Sequence, residues 1–263
     1  MNSLIISTCQ APDMDFICRD LAGYLSERLS IPVQAVIDLP WQERDSLLDA
    51  GKIDLCWICG LPYVRKTKLT PLQIEPLVAP VMAGSRYQGR PIYYSDVVVR
   101  QESSYHSLAD LKGARWAYNE PGSQSGYGVV LYTLALQGKS LSHFGQVIES
   151  GSHQRSLQMI LSGEVDSSAI DSTVLEMEVA IDPALATRIR IIDSFGPSPI
   201  PPWVVSMNMP LTTRQAVLEL LIHMESDVQG RTILNRALMA RFVSVDDHDY
   251  DPIRKMARIA FRE

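Results

Sequence analysis

The stretch "NEPGSQSGYGVV" (residues 119–130) places small and hydroxylated residues directly before a run with helical spacing. Serine is a preferred N-cap residue and glycine is tolerated there, so one interpretation of the stretch is a capped helix. The N-terminus of a helix also offers unpaired N–H groups and the positive end of a dipole, so the other interpretation is an anion-binding turn. The rest of the sequence bears on this choice.

Short apolar runs alternate with amphipathic runs on both sides of this stretch, which predicts strands alternating with helices. The alternation starts at residue 3, stops after two extended segments, and restarts near residue 108. Short connections and helices closed by glycine favour an α/β fold with mostly parallel sheets. In order, the predicted elements of the first series are SLIIST, helix 14–30, PVQAVI, helix 41–51, IDLCWIC, LQIEPLVAPVM and RPIYYSDVVVR. Those of the second are a short helix LADLKG, RWAYN, helix 124–137, GQVIES, helix 153–162, VDSSAID, helix STVLEMEVAI and RIRIIDSF.

A proline-rich segment, FGPSPIPPW, separates the second series from VVSMN and a helical tail. The tail has helical periodicity over residues 213–226, 230–242 and 251–261. Two series of strands and helices predict two lobes, which we place at residues 1–97 with 196–263 and at residues 98–195.

Composition excludes several classes of protein. Net charge is −6, and the 24 Lys and Arg residues are scattered, so the basic patch of a nucleic-acid-binding protein is missing and we expect no nucleic-acid partner. No apolar stretch approaches the roughly 18 residues of a membrane span. The first residues, MNSLIISTCQAPDMD, lack the basic and apolar regions of a signal peptide. They predict a cytoplasmic location if the chain is given in full, or a mature form whose leader has been removed.

The cysteines cluster in the first quarter of the chain, at Cys9, Cys18, Cys56 and Cys59. The CWIC pair lies at the end of an apolar run, whereas a thioredoxin-like redox motif opens a helix. On a strand, these two thiols point to opposite faces about 10 Å apart. Buried structural thiols are therefore expected, and no second Cys or His pair completes a zinc site. We expect no metal and no cofactor.

Three junctions of the second series pass from a strand into a helix through hydroxylated residues. The carboxyl ends of parallel strands share one edge of a sheet, and ligands bind at that edge. Capping alone explains each junction separately. The three junctions together favour an oxyanion site with neutral donors. Gly122, Gly126 and Gly151 have no side chain, so a ligand can approach the backbone of these loops closely. The candidate residues are Ser123, Gln124, Ser125, Ser152, His153, Asp171, Ser172 and Thr173.

Ser125, His153 and Asp171 also supply the parts of a catalytic triad. The nucleophile elbow G-x-S-x-G, however, has Gln124 at its central position here, and the chain order Ser, His, Asp differs from that of the α/β-hydrolase fold. A phosphate-binding P-loop motif is absent as well. We therefore do not expect an enzyme.

The segments "SLADLKGARWAYNEPGSQSGYGVV" and "SGSHQRSLQMILSGEVDSSAIDSTVLE" resemble the PhnD-like phosphonate- and phosphite-binding proteins of ABC transporters. "GKIDLCWICGLPYV" and "IYYSDVVVR" are similar to two further segments of that group, so the resemblance covers most of the chain. It implies the type 2 periplasmic-binding-protein fold: two α/β lobes joined by two hinge strands, with the ligand in the cleft between them. It also implies an ABC permease as partner and a periplasmic location.

By this resemblance, Ser123, Gln124 and Ser125 hold a phosphonate-, phosphite- or phosphate-like oxyanion, with His153 beside them. Gln124 stands where some members have Thr, which changes one hydroxyl contact. The further ligand residues implied by the resemblance are Asp171, Tyr93 and Trp41. Trp41 and Tyr93 can alternatively be explained as core aromatics. Members that bind aminoalkyl phosphonates carry an acidic residue near positions 200–201, and PSPIPPW has no carboxylate there.

Two other classes of function stay open at this point. One is a cytoplasmic enzyme on the same fold that acts on a small carboxylate or heterocycle, for which the sequence offers no obvious acid–base pair. The other is a sensor that closes on a metabolite.

Overall fold

The computed structural model describes residues 3–11, 14–69 and 71–262. Its contacts divide the chain into two compact units. Unit 1 comprises Met1–Ile92 and Pro199–Asp251, and unit 2 comprises Tyr93–Ser198 and Pro252–Glu263. The predicted lobe boundaries after residues 97 and 195 lie within five residues of the unit boundaries after Ile92 and Ser198. Residues 252–263, placed in the first predicted lobe, group with unit 2 instead.

Strands and helices alternate through most of the described residues. The strands are β1 (Leu4–Thr8), β2 (Val33–Val36), β3 (Leu55–Trp57), β4 (Ile74–Met82), β5 (Ile92–Arg100), β6 (Arg115–Tyr118), β7 (Gln146–Glu149), β8 (Ser167–Asp171), β9 (Ile189–Pro199), β10 (Trp203–Ser206) and β11 (Met239–Ser244). The helices are α1 (Asp15–Leu29), α2 (Trp41–Asp49), α3 (Gly60–Lys66), α4 (Val129–Leu136), α5 (His153–Ser162), α6 (Ser172–Ile181), α7 (Leu211–Ile222), α8 (Val228–Arg236) and α9 (Asp251–Phe261).

Unit 1 contains a six-stranded sheet in the order β11-β4-β10-β3-β1-β2. Strand β1 pairs in parallel with β2 and β3, as the α1 and α2 crossovers require. Strand β10, which enters this unit after the whole second series, lies between β3 and β4 and is antiparallel to both. Strand β11 is antiparallel to β4. The prediction of a mostly parallel sheet is therefore wrong for unit 1, because β10 and β11 pair antiparallel with the earlier strands β3 and β4.

Unit 2 contains a five-stranded sheet in the order β7-β6-β8-β5-β9. Strand β6 is parallel to β7 and β8, whereas β5 is antiparallel to β8. Successive residues of a strand face opposite sides, so Trp116 and Ala117 of β6 enter two different apolar clusters. Helix α4 contributes to the first cluster and α5 to the second. The sheet is therefore covered by helices on both faces.

Three predicted elements differ in the structure. LADLKG forms consecutive turns closed at Gly113 (φ +79°) rather than a helix. The predicted helix 230–242 ends at Arg236, because Leu238 adopts a left-handed backbone (φ +55°) and β11 then pairs with β4. Strand β9 continues past the predicted strand RIRIIDSF into the proline-rich segment, as far as Pro199.

The cysteines, all within the described residues, form no disulfide. Cys18 and Cys56 are buried as predicted, whereas Cys9 and Cys59 are half-buried. Cys59 directly precedes α3 and occupies its N-cap position, so the prediction that CWIC is not followed by a helix is wrong. In the described part of the chain, no helix is long and apolar enough to cross a bilayer.

Candidate functional site

The three predicted junctions lie at one edge of the unit 2 sheet. Strands β7, β6 and β8 are adjacent and parallel, so their carboxyl ends share that edge. Strand β6 leads into the turn at residues 119–128, β7 into α5 and β8 into α6. The sheet therefore brings together the helix starts that carry Ser125, His153 and Asp171.

The first junction begins with a single π-helical turn, Gln124–Gly128. The amide of Gly128 donates to the Ser123 carbonyl at 2.9 Å, and the Ser123 hydroxyl accepts the amide of Gly126 at 3.0 Å. Ser123 therefore caps this turn, as the simpler interpretation of the stretch predicts. Isolated π turns within helices occur frequently at functional sites.

Ser125 has a different environment from a cap. Its Oγ lies 3.0 Å from Nε2 of His153 and 3.4 Å from the Ser123 Oγ. Ser125 is 3% exposed and His153 is 7% exposed, so this pair lies in the interior. Ser125 thus links the first junction to the second through a buried hydrogen bond that helix capping does not require.

The second and third junctions are also capped by their own side chains. Ser152 accepts the amide of Arg155 at 3.0 Å at the start of α5. Asp171 accepts both the amide and the hydroxyl of Thr173, each at 2.8 Å, at the start of α6. Thus capping and a common position at the sheet edge coexist at all three junctions.

Burial decides the charge of two side chains at this edge. It lowers the pKa of His153 to about 4, so the imidazole is neutral at pH 7. It also raises the pKa of Asp171 to about 6, against the opposing effect of the hydrogen bonds from Thr173, with nearby Asp96 adding to the rise. Asp171 can therefore exchange a proton close to neutral pH.

The triad geometry is incomplete. Among the described residues, His153 Nδ1 has no hydrogen-bond partner. Asp171 Oδ1 instead accepts from Thr173. The carboxylate that would orient the imidazole of a nucleophilic triad is therefore engaged elsewhere.

Three residues next to this edge were missed by the sequence reasoning. Asn119 is buried, and a Cβ added at Gly126 would lie 1.9 Å from its Oδ1. Ser95 on β5 donates a short hydrogen bond to the carbonyl of Ser125. Met256 on α9 accepts from Gln124 Nε2, with 3.2 Å between N and S. Asn119 is the last residue of the predicted strand RWAYN, at the first junction, and could have been included, but Ser95 and Met256 carry no local signal.

The two aromatic candidates fall in different units. Tyr93 is buried at the start of β5 in unit 2, and the next amide, that of Tyr94, donates to the Ser172 hydroxyl at 3.0 Å. Trp41 is half-buried and opens α2 in unit 1. Their roles as ligand residues stay predictions.

Metal binding has no support in the described residues, where no group of three or more His, Cys, Asp or Glu side chains is arranged to hold an ion.

Residues 4–250 match the sequence profile of a family described as the periplasmic substrate-binding protein of the phosphonate ABC transporter. This match covers nearly the whole chain, so the protein belongs to that family. A curated relative from Prochlorococcus marinus (strain MIT 9301), described as the probable ABC transporter phosphite binding protein PhnD1, is 22% identical over 169 residues. The alignment covers 64% of this chain and 56% of the relative. The chain thus spans little more than half the length of that relative.

Solved structures with the same fold include PhnD1 from Prochlorococcus marinus in complex with methylphosphonate, at 19% identity and a TM-score of 0.86, covering 100% of this chain and 99% of that one. A binding protein component of an ABC phosphonate transporter from Pseudomonas aeruginosa has 18% identity and a TM-score of 0.85, with coverages of 99% and 87%. The aliphatic sulphonate binding protein SsuA from Escherichia coli has 14% identity and a TM-score of 0.65, with coverages of 100% and 87%. The predicted α/β fold of type 2 periplasmic binding proteins is confirmed.

Proposed function

We propose that this protein binds a phosphonate, phosphite or phosphate ion at the carboxyl edge of the unit 2 sheet, and delivers it to an ABC permease. The observation that carries the proposal is the buried Ser125–His153 hydrogen bond, at 3.0 Å, which joins two helix starts. Helix capping explains the positions of Ser123, Ser152 and Asp171, but it does not explain the hydrogen bond between Ser125 and His153. An oxyanion bound where two helix starts converge does explain this hydrogen bond, because the bond would orient the Ser125 hydroxyl.

Neutral donors would hold the ligand. His153 is uncharged because burial lowers its pKa to about 4. With its proton on Nε2, the imidazole donates to Ser125 Oγ, so the Ser125 hydroxyl hydrogen is left to point at the ligand. Such donors bind an anion most strongly where water is excluded.

Asp171 would select ligands that carry a proton. Burial raises its pKa to about 6, close to the second pKa of a phosphoryl group, about 6. The carboxyl and the ligand can then share one proton in a hydrogen bond. Sulfate has no such proton at neutral pH, so Asp171 would have to take up a proton from solution to bind it, which weakens sulfate binding.

The ligand is expected to carry no amine. The segment PSPIPPW, residues 197–203, contains no carboxylate that would pair with an ammonium group. A small oxyanion or one with an apolar tail is therefore the better ligand than an aminoalkyl phosphonate.

Binding without chemistry is favoured over an enzyme on the same fold. Nucleophilic catalysis by Ser125 needs an imidazole oriented from its other nitrogen. Within the described residues His153 Nδ1 has no partner. Membership of the transporter family supports the permease as partner and the periplasm as location.

Calorimetric titration of the purified chain with phosphate, phosphite, methylphosphonate, sulfate and small carboxylates at pH 7 tests this function. Binding confined to the phosphorus oxyanions is expected. Binding of carboxylates alone, or of none of these ions, would overturn the proposal and leave the turn as a helix cap. Turnover of a bound ion into product would instead establish the enzyme.

A further inference from the structure

Two cysteine sulfurs in unit 1 lie in contact. The Sγ atoms of Cys9 and Cys56 are 3.9 Å apart, although 47 positions separate the residues in sequence. Strands β1 and β3 are parallel and pair Ser7 with Cys56. Side chains two positions apart on a strand share a face, so Cys9, just after β1, lies diagonally across from Cys56.

The backbone at Cys9 is hydrogen-bonded to the neighbouring strand. The amide of Cys9 donates to the carbonyl of Trp57 at 2.8 Å, which continues the β1–β3 pairing past the end of β1. A disulfide has an S–S length of about 2.05 Å, so the two sulfurs need to approach by about 1.9 Å. In a regular pair of strands, diagonal neighbours have Cα atoms about 7 to 8 Å apart, so the bond also requires a shift of the backbone at Cys9, just past the end of β1.

The two thiols differ in access. Cys9 is half-buried, whereas Cys56 is fully buried. Burial raises the pKa of the Cys56 thiol well above its ordinary value, with Cys9 as a neighbour that adds to the rise. A reagent in solution can therefore reach Cys9 but not Cys56.

We propose that Cys9 and Cys56 form a redox-active disulfide when the protein meets a disulfide oxidant, either a small thiol disulfide or the active-site disulfide of a thiol oxidase. The Cys9 thiolate attacks one sulfur of the oxidant, forming a mixed disulfide and releasing one thiolate. Cys56 then loses its proton and attacks the Cys9 sulfur, releasing the second thiolate. Two protein thiols lose two electrons and two protons, and the oxidant disulfide becomes two thiols.

Neither cysteine lies in unit 2, the unit that contains Ser125, His153 and Asp171. The disulfide would form at an edge of unit 1 that also contains Trp41, whose carbonyl oxygen is 3.9 Å from the Cys9 sulfur. In this proposal Cys56 of the CWIC motif pairs with the distant Cys9, and not with Cys59 of the same motif.

The test treats the folded protein with oxidised glutathione, denatures it in excess alkylating reagent, and counts alkylated thiols by mass spectrometry. The count is expected to fall from four to two, with a peptide map that joins Cys9 to Cys56. The Cys56→Ala variant should stop at a stable glutathione adduct on Cys9. The matched control Cys59→Ala, which removes the other cysteine of CWIC, should still form the bond.

A second measurement does not depend on any variant. Oxidation of the wild-type protein should raise Tm by roughly 5 °C over the reduced form, because the bond closes a long loop in the unfolded chain. Four alkylated thiols after oxidation, or a bond that involves Cys18 or Cys59 instead, would overturn the proposal.

Discussion

At the scale of single residues, burial rather than residue type decides the chemistry of the candidate site. Ser125 and Ser142 are both serines of unit 2, but Ser125 is buried against His153 whereas Ser142 is exposed and contacts Ser140. The same hydroxyl is a candidate ligand donor in one place and a solvated surface group in the other.

Replacing Ser125 tests its role in binding. Ser125→Ala removes a hydrogen bond to a charged ligand, so oxyanion affinity should fall by about 1 to 3 kcal/mol in calorimetric titrations. Ser142→Ala serves as the control and should leave the affinity unchanged. An unaltered dissociation constant in Ser125→Ala would remove this residue from the site.

Replacing Asp171 tests its ionisation. The unfolded carboxyl ionises near 3.8 and the folded one near 6, so its contribution to stability is present below pH 3.8 and is lost as the pH rises through 6. Asp171→Asn can still accept from Thr173 but has no charge to bury. The variant should therefore gain about 2 kcal/mol relative to wild type as pH rises from about 4.5 to 7.5.

Urea unfolding at the two pH values measures this change. The buried His153 lowers the free energy of unfolding at low pH in both the wild type and Asp171→Asn. This effect therefore cancels when the two proteins are compared. A stability difference that does not vary with pH would show that Asp171 ionises in the folded protein as it does in the unfolded chain.

At the scale of elements, close packing rather than glycine's flexibility maintains the turn after β6. Gly126 faces Asn119, whose Oδ1 would be 1.9 Å from an added Cβ and whose side-chain carbon would be 2.9 Å from it. Gly122, four residues earlier, has nothing within 4 Å of the same position. The two glycines therefore have different reasons to be present.

The matched pair Gly126→Ala and Gly122→Ala tests the packing of the turn. Gly126→Ala should destabilise the protein by about 1 to 3 kcal/mol through overpacking and should weaken oxyanion binding. Gly122→Ala should change stability by less than about 0.5 kcal/mol. Thermal unfolding and titration measure both effects.

Truncating the side chain that an added methyl would meet gives a further check. Asn119→Ala combined with Gly126→Ala should recover part of the lost stability. If the double variant is no more stable than Gly126→Ala, contact with Asn119 is not the cause of the loss.

At the scale of the whole molecule, the last helix belongs with the unit it packs on. Met256 of α9 contacts the apolar cluster of unit 2 that contains Trp116, and it accepts a hydrogen bond from Gln124. Helix α9 follows unit 1 residues in sequence but groups with unit 2 by its contacts.

Met256→Ala should therefore loosen unit 2. Hydrogen exchange followed by mass spectrometry should become faster in β6 and α4 and stay unchanged in β1 and β3. Lys255→Ala, an exposed neighbour on the same helix, is the control and should change neither unit. Faster exchange confined to unit 1 would show that α9 stabilises that unit instead.

Much of this fold could be predicted from local pattern because its helices have clear starts and ends. Helix α5 spans the predicted residues 153–162, with Ser152 as its cap and Gly163 closing it at φ +79°. Helix α6 likewise starts directly after Asp171. Local periodicity failed where a long-range pairing decided the structure, as in β11, whose partner β4 is more than a hundred residues away.

By itself the sequence determined the alternation of strands and helices, the family resemblance, and the three junctions that carry Ser125, His153 and Asp171. Those features depend on spacing and capping within a few residues. Only the tertiary structure decided which strands lie side by side, that His153 is neutral, and that Cys9 contacts Cys56. Strand order, burial and contact between distant residues depend on how the whole chain packs, which local spacing does not specify.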